Sequence, residues 1–145
     1  MADALRALVA DAPNAAELVN QVDNKGLTPL LQIVIAFDTV ANVSLSRGGK
    51  LAPKGMHGYV TDAVEVLLKA GASMAATDSE KRGALYHAFF NLNASLVRLL
   101  YKHGASTGDL SEPQKSDIKR RVKSAMNENS GPWEDDWFKD HIKSL

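Results

Sequence analysis

Apolar residues in this chain recur at three- and four-residue spacing, the period of a helix that lays one face on a core. Leu5, Leu8 and Val9 share such a face and predict a helix over 3–11, with a further helical turn at 14–18. A second helix is expected from Pro29 to about Asn42. Thr28 can cap it by accepting an N–H, and Pro29 lacks the N–H that the first helical position leaves unpaired. Helices are also expected over 112–127 and 133–143, parted by Ser130-Gly131-Pro132. The predicted core is Leu5, Leu8, Val9, Leu30, Val34, Val64, Leu67, Leu68, Leu85, Ala88, Leu96, Leu99 and Leu100.

The pattern repeats. Gly71-Ala72-Ser73 returns as Gly104-Ala105-Ser106, 33 residues later. The segments leading into the two copies, 64–70 and 97–103, set apolar on apolar and Lys69 on Lys102. A period of this length marks a stacked array of small units rather than one globular core.

Asp23-x-x-Gly26-x-Thr28-Pro29-Leu30 resembles the opening of an ankyrin repeat, a turn followed by two antiparallel helices. Leu67-Leu68-Lys69-Ala70-Gly71-Ala72 matches the close of such a unit. A second unit runs from Asp78 through Gly83-Ala84-Leu85-Tyr86-His87-Ala88 to Gly104-Ala105, with Gly83-Ala84-Leu85-Tyr86 in place of Thr-Pro-Leu-His and Lys81 in place of the turn glycine. Ser111 continues the register loosely, 33 residues after Asp78. The resemblance implies an all-α fold, a short ankyrin-type helical solenoid of paired antiparallel helices with turn fingers, capped at both ends. It divides one domain, 1–145, into an N-terminal cap (1–20), a repeat (22–72), a second repeat (73–106) and a degenerate C-terminal repeat or cap (107–145).

One departure is large. Gly83 to Gly104 spans 21 positions, whereas Thr28 to Gly71 spans 43, so the first repeat carries an insertion of 22 residues, about 38–58. Its glycines and prolines read as loop, and Arg47, Lys50 and Lys54 make it basic. Gly48-Gly49-Lys50 is followed by Leu51 rather than Ser or Thr, so it does not form a phosphate loop of the Walker kind.

Composition narrows the function classes. Seventeen basic side chains balance seventeen acidic ones, which argues against nucleic acid and anionic membranes as partners. The absence of cysteine removes disulfides, thiolate metal sites and a cysteine nucleophile. His57, His87, His103 and His141 have no metal-ligand spacing, and no nucleophile elbow occurs. No catalytic, cofactor or metal residue is assigned, and a cytoplasmic, non-enzymatic protein that is monomeric alone is expected.

The candidate residues are therefore those of an interface with another protein. The resemblance places contacts on the fingers, Asn24, Lys25 and Leu27 then Ser79, Glu80 and Arg82, and on the exposed first-helix face, Gln32 then His87, Phe90 and Asn91. The insertion adds Arg47, Lys50 and Lys54. In the tail, Trp133 and Trp137 stand four apart and share a face with His141. That face either packs against the preceding helix and closes the apolar end of the stack or docks a second partner. The basic 115–123 stretch and the acidic 128–140 stretch could also pair with each other. The expected function is binding of a protein partner, as an inhibitor or immunity-type protein, or as an adaptor or assembly factor using the tail. The rival class is a small-molecule or metal binder, or a small enzyme, built on the insertion and His57.

Overall fold

The computed structural model describes residues 14–36, 54–127 and 135–145, with side chains in the middle segment from Tyr59 onward. Expectations for 1–13, for the helix beyond 36 and for most of the insertion lie outside the described residues. Within them the chain is helical: α1 (Ala15–Leu18), α2 (29–36), α3 (Lys54–Lys69), α4 (Ala84–Phe90), α5 (Ala94–Lys102), α6 (Glu112–Asn127) and α7 (Asp136–Lys143), with a 3-10 turn at Thr107–Asp109. The described residues contain no strand, only a single bridge between Thr77 and Gly83.

Local chemistry sets the helix starts. Thr28 Oγ1 accepts from Leu31 N at 3.4 Å, and Asn93 Oδ1 accepts from Leu96 N at 3.1 Å. Ser111 and Gln114 exchange side-chain and backbone bonds at the head of α6, a capping box.

One expectation is corrected. The insertion was expected to be loop through Gly58, yet its last residues, Lys54–Gly58, are already the first turns of α3. Val60, Ala63, Val64 and Leu67 are buried at helical spacing. A helix anchored so firmly propagates upstream at one bond per residue, even through two glycines.

The 33-residue echo is structural. Gly71 and Gly104 sit at φ 100° and 102°, beyond the reach of ordinary side chains. Each lets the chain fold back: Ala72 N donates to Leu67 O at 2.9 Å, and Ala105 N donates to Leu100 O at 3.0 Å. The finger turns match as closely. Asp23 Oδ1 accepts from Lys25 N and Leu27 N, while Asp78 Oδ1 accepts from Glu80 N and Arg82 N. Gly26 and Lys81 hold equivalent left-handed positions, φ 76° and 61°. Lysine bears that conformation at a cost glycine avoids. Lys81→Gly should therefore raise stability by about 0.5–1 kcal/mol, the strain relief less glycine's entropy, read as a shifted denaturation midpoint at unchanged slope.

α4 and α5, joined by Asn91-Leu92-Asn93, pack against each other as a hairpin. α3 packs on α5 and α6 packs on α4, so second helix meets second helix and first meets first. The fully buried side chains of this stack include Leu30, Leu67, Phe89, Leu96, Leu100, Ile118 and Phe138. Of the predicted core, Leu30, Val34, Val64, Leu67, Leu85, Ala88, Leu96, Leu99 and Leu100 are buried. Leu68 is only half-buried, at the margin of the buried face, about 40° from Val64 but about 100° from Leu67.

Candidate protein-binding surface

Finger tips present the first part of the surface. Asn24, Lys25, Ser79 and Glu80 are exposed, Leu27 and Arg82 are half-buried, and Gln32 is exposed on α2. Both fingers are braced from the helix behind them by equivalent residues. Gln32 Nε2 donates to Leu27 O at 3.2 Å, and His87 Nε2 lies 3.2 Å from Asp78 Oδ2. Asp78 accepts there, so the imidazole carries its hydrogen on Nε2.

Asp78 is the hub of the second finger. Besides the two backbone donors, Arg82 Nε donates to Oδ2 at 2.9 Å. Burial pushes the Asp78 carboxyl upward; the N–H of Arg82, its guanidinium and the N–H of Glu80 outweigh that, and the acid stays below its ordinary value. The arrangement rigidifies the finger that carries Ser79 and Glu80.

Two of the residues expected on the exposed first-helix face are corrected. His87 is 3% exposed and Asn91 8%. His87 turns inward to Asp78, and Asn91 closes the α4–α5 junction with its N–H on His87 O. Helices α5 and α6 both pack on α4, which leaves little of it open. Arg120 and Ser124, 33 residues beyond His87 and Asn91, do line an open groove of about 460 Å³. Tyr86, Phe90, Asp117 and Arg121 complete its walls.

That groove lies between α4 and α6. Tyr86 and Phe90 stack at 5.6 Å with their planes 19° apart. The Arg82 guanidinium stands 5.7 Å from the Tyr86 ring centre, and that of Arg121 stands 5.9 Å from Phe90. Guanidinium over aromatic is a modest attraction at exposed sites. Its structural effect here is to hold Arg121 beside the half-buried Phe90 ring, while Tyr86 is itself buried. The 33-residue arithmetic could have flagged Arg120 and Ser124 from the sequence alone; Arg121 carries no comparable signal.

The tail docks rather than projects. α7 packs on α5, with Phe138 fully buried and stacked 6.0 Å from Phe89. Trp137 is half-buried; it stacks on His141 at 3.8 Å and meets Tyr101 edge-on at 5.7 Å. Asp135 accepts from Arg98 Nη2 at 3.0 Å through both oxygens and caps α7 through Phe138 N. The tail acid Asp135 thus pairs with α5, and Asp136 with Lys139 of its own helix, rather than with the basic 115–123 stretch. Trp133, Arg47 and Lys50 lie outside the described residues, and Lys54 is described as backbone only.

Among the described residues no group of three or more His, Asp or Glu could hold a metal ion, and no helix is long and apolar enough to cross a membrane. No family model, curated protein or solved structure matches the chain.

Proposed function

We propose that the chain is a non-catalytic protein-binding module of ankyrin-repeat type, one that masks a single protein partner in the manner of an inhibitor or immunity protein. The observation that carries this reading is the pair of matched fingers, Asp23 to Leu27 and Asp78 to Arg82, with the same four-bond pattern. Such rigid fingers spend little entropy on binding. The groove at Tyr86 and Phe90 continues the surface with aromatic and arginine side chains, the types enriched at interface anchors. The buried Phe138 favours a capping role for the tail over an adaptor's second surface.

Affinity capture from the source cell, followed by native mass spectrometry of the complex, tests the proposal. One partner at 1:1 stoichiometry is expected. A Lys25→Glu, Glu80→Lys double variant should lose that partner by at least about tenfold while its far-UV circular dichroism is unchanged. Equal capture by the variant, or two partners held at once, overturns the reading.

A further inference from the structure

We infer that the α4–α6 groove receives an acidic peptide segment of a protein partner, one carrying an aromatic or long aliphatic residue beside its carboxylates. This rests on the protein-binding reading above and specifies the partner's chemistry at one part of the surface. The floor is apolar: the Phe90 ring is half-buried at the groove, backed by the stacked ring of Tyr86, which is itself buried at 5% exposure. The rim is cationic: Arg120 has 79% of its side chain exposed, and Arg121 stands over Phe90. Helix α6 as a whole carries Lys115, Lys119, Arg120, Arg121 and Lys123 against Glu112 and Asp117. Of these, Arg120, Arg121 and Asp117 line the groove, two cations against one acid, so its wall carries a net positive charge of one while the lysines lie on other faces of the helix.

Chemistry selects among anionic occupants. Guanidinium presents a planar fork that matches a carboxylate or a phosphate in two parallel bonds, so the apolar floor and the size of the groove decide between them. A groove of about 460 Å³ accommodates a few side chains rather than a length of polynucleotide. Asp117 stands inside it, 3.5 Å from Arg120. Asp117 repels any anion that arrives, so occupancy needs an apolar contact on Phe90 besides the arginines, which a peptide side chain supplies and a phosphate backbone does not. Electrostatic capture by Arg120 and Arg121 and burial of one apolar side chain on Phe90 then act together.

Selection of phage-displayed random dodecapeptides on the intact chain tests this, with a labelled dT12 oligonucleotide as the second probe. Enriched peptides should be net acidic and contain Phe, Trp, Tyr, Leu or Met. A labelled peptide of the enriched sequence should bind at least about tenfold more weakly to an Arg120→Glu, Arg121→Glu variant, and Arg120→Gln, Arg121→Gln should fall between. Binding should weaken as salt rises, since the contact is at an exposed rim. Enrichment of neutral or basic peptides, indifference to both variants, no enrichment at all, or tighter binding of dT12 than of the peptide each overturns the acidic-segment proposal. Those outcomes leave the 1:1 capture and its finger variant standing, so the two readings fail separately.

Discussion

Replacing Phe138 with alanine should cost the fold about 3–5 kcal/mol, the range for deleting a fully buried phenylalanine. In a domain of this size that corresponds to a fall in melting temperature on the order of 10 °C. The argument is one of packing. Phe138 is enclosed, stacked on Phe89, and sits in a helix of eight residues too short to stand alone. Losing the ring leaves a void against the α4–α5 hairpin and removes the main apolar hold on α7. The Arg98–Asp135 pair contributes far less, because Arg98 is 55% exposed and screened by water. Arg98→Ala should cost no more than about 1 kcal/mol. Thermal denaturation of both variants decides the matter. A Phe138→Ala protein as stable as the parent would mean that the tail is detachable and that α7 is free to dock elsewhere.

Local rules made the turns and caps legible in the sequence, and distance hid most of the rest. Asp-x-x-Gly turn chemistry, the Thr28 cap and the left-handed glycines act within a few residues, and each stands where the pattern placed it. Lys81 is an instructive case: the residue type is wrong for the turn, yet the bonds on Asp78 hold it in the glycine conformation. The helix over 112–127 was equally readable, since its capping box and apolar stripe are both local. The orientation of α7 was not. Its aromatic face is obvious from spacing, but the choice of the α4–α5 hairpin as its seat rests on Arg98 of α5 and Phe89 of α4, 37 and 49 residues away from Asp135 and Phe138. His87 and Asn91 failed for a related reason. Helical spacing assigns a residue to a face; whether that face is open depends on what packs over it, and α5 and α6 both pack on α4. The early start of α3 likewise reflects tertiary anchoring that overrides glycine's poor helix propensity.

Asp78→Ala should be the most damaging change among the finger residues, at about 3–5 kcal/mol, because it strips one partner from a buried, charge-assisted network. Asp78 and His87 have side chains only 5% and 4% exposed, and Arg82 loses its strongest acceptor. The same substitution at Asp23 removes the corresponding turn bonds from an exposed finger and should cost about 1–2 kcal/mol. The contrast separates the buried network from the turn itself. Acid provides a second test with a definite sign. The Asp78 carboxyl is held below its ordinary value of 3.8, so its charge stabilises the fold above that pH, and the contribution is lost as pH falls below 3.8 through the folded-state value. Asp78→Asn keeps the shape and removes the titration. The stability gap between parent and Asp78→Asn in urea should be widest near neutrality and close as the pH is lowered through that window. A gap that holds constant down to pH 3 would mean that Asp78 acts through geometry alone, and the finger's rigidity would then rest on the backbone turn that both repeats share.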